Sequence, residues 1–412
     1  MEHQCSDHHP GDCHPEHAPA EPGRRKILKM AGVAAMPLLG AMSSGGAQAQ
    51  AASASEPALG QSPFTVRAYG AKSTGGRIVP LQIQRRALGA RDVLIDILYA
   101  SICHSDIHTV HGDWRAPPLP VVPGHEIVGR VLAVGNKVTK FKVGEIAGVG
   151  CMVDSCGTCE NCLSDREQIC LNGATFTYGS LDKVSGGHTF GGYSDKIVVS
   201  ERFAIRIPPG MDLVSAAPIL CAGITTFSPI RHWRVRPGWR VAVVGLGGLG
   251  HMAVKLAVAQ RAEVTVFTTT PGKIADAARL GAREAVLWSD AAAMKRLANT
   301  FDLMISTVPY AFEAQPFMNV LKLDSTFVNV GLGEARGINP GAMALGRKSL
   351  SGSMIGGIAE TQEVIDHCFA RNIRPDIELI RPEQIDAAYE RVVKKDVRYR
   401  FVIDFASGKN AA

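Results

Sequence analysis

The sequence predicts a two-part α/β protein: a β-rich, partly barrel-like half followed by an open, doubly wound parallel sheet. Three observations carry this reading. From Phe64 to Val149 short apolar runs alternate with turns, as at 93–98, 126–134 and 145–149, with Gly135 and Gly144 as breaks. After Pro218 the pattern changes. Val241-Ala242-Val243-Val244 reads as a buried strand, Gly245-Leu246-Gly247-Gly248-Leu249-Gly250 follows, and 251–260 reads as a helix. Strand and helix then alternate as far as Ile355. A chain of 412 residues is long enough for two domains with full cores.

The N-terminal residues stand apart from this fold. Residues 1–22 are rich in His, Pro and acidic residues and carry Cys5 and Cys13, with no helix or strand period; they read as a disordered tail, a polar spacer or a weak metal-capture tract. Residues 23–49 hold Arg24-Arg25, a short apolar run interrupted by Pro37, and Ala47-Gln48-Ala49. The run is too short to span a bilayer. Its order of elements resembles a twin-arginine export signal, which predicts a periplasmic protein, with a cytoplasmic one as the alternative. Residues 50–61 read as a linker. The net charge of +6 includes no long basic run, which argues against a nucleic-acid partner.

The β-rich half, 62–215, carries the metal chemistry. Cys103 follows a strand and comes with His104, Ser105, Asp106 and His108; His125 enters the next strand beside Glu126. A thiolate and an imidazole at strand ends suit zinc, and Cys221 is the candidate third ligand, which leaves a fourth position open. Asp106 reads as a carboxylate orienting His125, or as a turn residue. Glu126 reads as a catalytic group behind the metal that tunes it or briefly binds it. Trp114, between the two ligand segments, lines an aromatic-tolerant pocket or packs on the surface. Cys156, Cys159, Cys162 and Cys170 form a second set, spaced to close a tetrahedral zinc shell; the alternative is two disulfides formed after export. Cys151 and Cys368 read as buried free thiols.

In the parallel-sheet half, 216–357, the glycines let the backbone approach a pyrophosphate seated at a helix N-terminus. Strands are expected at 263–268, 284–287, 301–307, 326–330 and 349–355, with helices at 273–280 and 291–298. The second strand ends in Thr268-Thr269-Thr270, where a carboxylate selective for NAD would stand. Three hydroxyls, with Lys273 adding charge, suit the 2′-phosphate of NADP; otherwise the threonines cap a helix and Lys273 is a surface residue. The final segment, 358–412, has helical stretches at 360–370 and 382–394 and a strand at 401–405 that returns to the first domain.

From about Phe64 to Phe405 the chain resembles the zinc-dependent alcohol dehydrogenases of the medium-chain dehydrogenase/reductase superfamily, in the branch of cinnamyl-alcohol-dehydrogenase-like aldehyde reductases. The residues that carry the likeness are 103–108, 123–129, 156–170, Cys221-Ala222-Gly223-Ile224-Thr225, 245–251, Gly352-Ser353-Met354-Ile355-Gly356 and 399–404. The resemblance implies a GroES-like catalytic domain interrupted by a Rossmann domain, with the active site in the cleft. It implies two zinc ions per chain, one catalytic and one structural, and NADP bound along Gly245, Gly247, Gly248, Leu249 and Gly250, with Thr225, Thr268, Thr269, Thr270, Lys273 and Thr307 as further contacts. It implies a small alcohol or aldehyde substrate, with Ser105 passing the proton and His108 completing a relay, and a homodimer paired through the nucleotide domains. A reading of another class is an exported metal-binding or nucleotide-sensing protein on an inherited dehydrogenase fold.

Overall fold

The computed structural model describes residues 60–408; the His-rich tract, the paired arginines and most of the linker lie outside them. Two large sheets dominate. The first runs in the order Ile377–Ile380, Arg400–Asp404, Asp92–Ser101, Ile127–Val134, Ile146–Val149, Ala204–Arg206, and Lys196–Ser200 also pairs with Asp92–Ser101. Asp92–Ser101 buries apolar side chains on both faces, Leu94 on one and Val93, Ile95 and Ile97 on the other, as a strand covered on two sides requires. Register slips at Leu94/Ile95 and Ile97/Tyr99 bend it, which helps the sheet curl towards a barrel. The late strand Arg400–Asp404 returns to this sheet, with Val402 opposite Ser101 and Ile403 opposite Ala100.

The second sheet has six strands in the order Glu284–Leu287, Glu263–Thr268, Arg240–Val244, Phe301–Ser306, Leu321–Asn329, Ser349–Gly352, every pair parallel. Numbered along the chain this is the 3-2-1-4-5-6 arrangement, whose strand order reverses beside Arg240–Val244. A crevice opens at that reversal, outside the carboxyl ends of Arg240–Val244 and Phe301–Ser306. Among the six parallel strands, two boundaries differ from expectation by three residues or more. Strand Leu321–Asn329 begins before 326, because Leu321 pairs with Phe301 ahead of a register shift. Strand Ser349–Gly352 stops short of 355, where its partner strand ends at Asn329. Strand Ile377–Ile380 and helix His104–His111 were not foreseen.

The two sheets share a core. Val128 and Ile205 of the first lobe cluster with Leu220, Val241 and Leu303 around helical residues Ala216 and Val364. The helical run Leu213–His232 is long and apolar enough to cross a membrane, yet it is mostly buried in this core.

Candidate active site

Cys103 is the N-cap of helix His104–His111. Its backbone N–H donates to Asp106 Oδ2 at 2.8 Å, and the capping is reciprocal, so the thiol is set by a rigid first turn. His125 lies just before strand Ile127–Val134. Cys221 sits on a π-helical turn, Ile219–Gly223, inserted between helices Leu213–Pro218 and Ile224–His232. Such wide turns recur at functional sites because they push one side chain out of helical register.

These three residues and Glu126 bring their ligand atoms within 4.8 Å of one another, and all four are buried. The two thiols are 4.0 Å apart and His125 Nε2 is 3.3 Å from Cys221 Sγ. Zinc with Zn–S of about 2.3 Å and Zn–N of about 2.0 Å in a tetrahedral shell needs S···S near about 3.8 Å and S···N near about 3.5 Å, so the set fits zinc. The hydrogen bond from Cys221 holds the Cys103 thiol well below its ordinary pKa, and the Arg400 guanidinium adds to this. Asp106 is fully buried and faces the imidazole, with His125 Nδ1 at 3.1 Å from Oδ1. It also accepts from Gly124 N at 3.1 Å and from Tyr193 Oη at 3.0 Å.

Glu126 accepts from Arg400 Nη2 at 2.7 Å and from Ser101 Oγ. Burial pushes its carboxyl up to about 7. Arg400 also donates to Ile102 O at 2.8 Å and reaches Cys103 Sγ at 3.7 Å. Its Nε is buried with no partner, and a Cβ on Gly248 would lie 3.0 Å from it. Arg400 therefore stands between the ligand set and the glycine loop. Sequence reasoning missed it, although an arginine opening a run as apolar as Phe401-Val402-Ile403 is a signal.

Two cavities meet at Cys103 and Ser105. One, of about 270 Å³, runs along Gly245, Gly247, Gly248 and Leu249 to Thr268, Thr269, Thr270 and Lys273, with Thr307 on its wall. Gly245 needs its freedom, at φ +91°, and a Cβ on Gly250 would fall 2.0 Å from Gly245 O. Gly250 thus serves close helix–strand packing and does not line the cavity. Thr307 Oγ1 donates to Val244 O at 3.0 Å, and Thr268 Oγ1 accepts from Thr270 N at 3.1 Å. Lys273 is no surface lysine. It is buried, Nζ donates to Leu246 O at 2.8 Å, and burial lowers its pKa to about 8.

The second cavity, of about 370 Å³, reaches Cys103, His125 and Cys221 between Trp114, Phe176, Tyr178, Leu249, Met354 and Ile355. Thr225, one turn after Cys221, lines this cavity and not the glycine-loop one. Ser105 borders both, with Oγ 3.6 Å from Cys103 Sγ. His108 lines the first; its Nδ1 is 2.6 Å from Asp113 Oδ2, and its ring packs on Trp114 at 5.1 Å. Asp113 was not singled out in the sequence, where it is an ordinary loop aspartate. Cys151 corrects an expectation: it is half-buried, not buried, and forms part of the second cavity's wall. Strand Ile146–Val149 ends just before it and leaves its Sγ 4.0 Å from Leu220 O.

Cys156, Cys159, Cys162 and Cys170 also lie within 4.8 Å of one another. Their closest pairs are Cys156–Cys162 at 3.8 Å and Cys159–Cys170 at 3.9 Å, the spacing of about 3.8 Å that four thiolates adopt around zinc. Backbone N–H groups of Thr158, Cys159 and Leu171 point at these sulfurs from 3.4–3.5 Å, which suits thiolates. None of the cysteines among the described residues is in a disulfide.

Known proteins resemble this chain over most of its length. Residues 89–209 match the alcohol dehydrogenase GroES-like domain and residues 248–370 the zinc-binding dehydrogenase model. NADP-dependent alcohol dehydrogenase C 1 of Mycolicibacterium smegmatis is 51% identical over 345 residues, covering 83% of this chain and 99% of that protein. The chain belongs to the zinc-dependent alcohol dehydrogenases of the medium-chain dehydrogenase/reductase superfamily. Among solved structures, this family member is similar to a cinnamyl alcohol dehydrogenase from Sorghum bicolor, with a TM-score of 0.81, 41% identity, and 83% and 98% of the two chains covered. It is also similar to the cinnamyl alcohol dehydrogenase of Helicobacter pylori complexed with NADP(H), with a TM-score of 0.79, 40% identity, and 83% and 98% covered.

Proposed function

We propose that this alcohol dehydrogenase interconverts primary alcohols and aldehydes with NADP(H), acting as a broad aldehyde reductase. The observation that carries the reading is the convergence of Cys103, His125 and Cys221 where a glycine-loop cavity meets an apolar chamber. Zinc, when bound, supplies a Lewis acid for the substrate oxygen, and NADP(H) supplies the hydride. The chain's own residues do the rest. The two thiolates moderate the charge their metal presents. Asp106 accepts from His125 Nδ1, which keeps the Nε2 lone pair free to ligate. Ser105 Oγ, at the junction, holds the proton that the substrate oxygen gains or loses. His108, steadied at Nδ1 by Asp113, carries it towards solvent at Nε2. Arg400 Nε, unpartnered beside Gly248, and the N-terminus of helix Gly248–Ala259 favour an anion such as the pyrophosphate. Thr268, Thr269, Thr270 and Lys273 favour the 2′-phosphate.

Oxidation of NADPH by a panel of aldehydes, with and without a chelator, tests the reaction. Chelator-sensitive turnover that Cys221→Ser abolishes supports it. Binding of NADPH and zinc with no turnover of any aldehyde would support a nucleotide-sensing or metal-binding protein instead. A homodimer is part of the proposal. The outer edge of strand Ser349–Gly352 has no strand partner among the described residues, and Leu350 on it and Leu345 just before it are exposed. A monomer in sedimentation equilibrium would refute it. Export through the Arg24-Arg25 signal is also proposed, on the sequence alone; native protein that stays in the cytoplasm with its N-terminus uncut would refute that.

A further inference from the structure

We infer that the substrate chamber favours aldehydes and alcohols bearing a carboxylate at the end remote from the reacting carbon; this rests on the alcohol dehydrogenase reading above. The inner end of the chamber is formed by Cys103, His125 and Cys221, all buried. Its walls are mostly apolar and aromatic, with Thr109, Thr177 and Thr225 among them, and among the described residues no aspartate or glutamate lines it. Among the described residues Arg115 is its one lysine or arginine, and Arg115 is exposed, so the cation marks the outer end. Arg115 does not line the glycine-loop cavity, where Lys273 and Arg400 stand, so its charge faces substrate and not cofactor.

Arg115 forms no ion pair among the described residues. Its side chain makes one polar contact, from Nη2 to Gly179 O at 3.2 Å, on the facing turn of the chamber. Among the described residues no other group takes its remaining guanidinium donors, and a guanidinium is shaped to hold a carboxylate through two parallel N–H···O bonds. Pro117 and Pro118 fix the backbone just beyond it, which limits the loop's freedom to carry the charge away. Apolar walls on the inner side strengthen the attraction, and solvent on the outer side weakens it. A chamber of about 370 Å³ has room for an aromatic ring between the two ends. The substrate class is therefore an apolar spacer with a carbonyl at one end and a carboxylate at the other.

The test compares 4-carboxybenzaldehyde with its methyl ester, under NADPH, in the parent enzyme, Arg115→Gln and Arg115→Lys. The acid should be favoured in kcat/KM by about 10-fold at low ionic strength, the lower end for a charge-assisted contact at a partly exposed site. Added salt should shrink the preference. Arg115→Gln should bring the ratio to about one, and Arg115→Lys should keep part of it. Each ratio compares two substrates on one protein, so partial misfolding cancels. Calorimetry with 4-carboxybenzaldehyde and its methyl ester on the NADP⁺-loaded protein, which has no hydride to give them, should give the same ranking. Equal efficiencies in the parent enzyme, or a preference that survives in Arg115→Gln, would overturn the inference. Turnover of neither aldehyde, with the calorimetric preference intact, would fault the assigned reaction and leave the chamber's selectivity standing.

Discussion

Asp106→Asn is the most informative single change in the site. The carboxylate is fully buried and takes four donors: Gly124 N and His125 Nδ1 on Oδ1, Cys103 N and Tyr193 Oη on Oδ2. An amide of the same shape must turn its NH₂ towards one of these pairs. Facing Oδ1's partners, it would force His125 to carry its proton on Nε2, the atom needed for the metal. Facing Oδ2's partners, it can donate to the Tyr193 hydroxyl, which rotates to accept, and only the Cys103 N–H is orphaned. The second placement is cheaper, at about 1–3 kcal/mol for one unsatisfied buried donor. His125 then leans on a neutral carbonyl instead of a carboxylate, and zinc affinity should fall by about 10- to 100-fold, or about 1.4–2.7 kcal/mol. Tyr193→Phe removes the group that rescues the amide, so the double variant should lose more than the two single changes added together. Competition against a chromophoric chelator measures the affinities. Affinity within twofold of the parent in Asp106→Asn, or strict additivity with Tyr193→Phe, would refute the account.

Other changes bear on other parts of the molecule. Cys159→Ser should lower metal content from about two zinc ions per chain to about one and open 154–172 to proteolysis; two ions retained, or a disulfide found among these cysteines, would contradict it. Lys273, with its pKa lowered to about 8, carries its charge below that pH and loses it above, so kcat/KM for NADPH should fall as pH rises through about 8 while that for NADH does not. Parallel profiles for the two cofactors would dissociate Lys273 from the 2′-phosphate. Thr268→Asp keeps an acceptor for Thr270 N but places a carboxylate against that phosphate, and should move preference towards NADH by about 10- to 150-fold; an unmoved ratio would clear this strand end of any role in selection.

The parts of the site legible in the sequence are those whose chemistry is local. Cys156, Cys159, Cys162 and Cys170 announce themselves by spacing, and the glycine loop by the strand before it and the helix after it. The parallel sheet was legible for the same reason: buried strands and helices alternate along the chain, although the order of the strands in the sheet emerges only from their pairing. What was hidden depends on distant partners or on atypical local signals. Arg400 meets Glu126 from 274 positions away, and Tyr193 meets Asp106 from 87, and neither pairing leaves a trace in periodicity. Helix His104–His111 went unseen because its cap is a cysteine and its residues, mostly His, Ser, Asp and Thr, give no apolar stripe. For Lys273 the sequence suggests a charge for the 2′-phosphate and leaves a surface lysine as the alternative; its contact with Leu246 O exists only once the sheet has brought two loops together. The π-helical turn under Cys221 has no compositional mark.

The pairing of Arg400–Asp404 with Asp92–Ser101 bears on how the chain reaches this state. The contact of Arg400 with Ile102 spans 298 positions, and the whole parallel sheet lies between them. Closing so long a loop from an unstructured chain is slow, and its entropy is repaid only when the ends have met. If the intervening sheet folds first, its two ends come out near each other and the remaining search is short. We expect that order. Pulsed hydrogen exchange during refolding should protect the amides of 241–244 before those of 95–97, and the reverse order would refute it. A lesion in the parallel sheet's core, remote from any ligand, would then appear first as failure to retain metal, since the strand that delivers Arg400 to the ligand shell has nothing to bring it home.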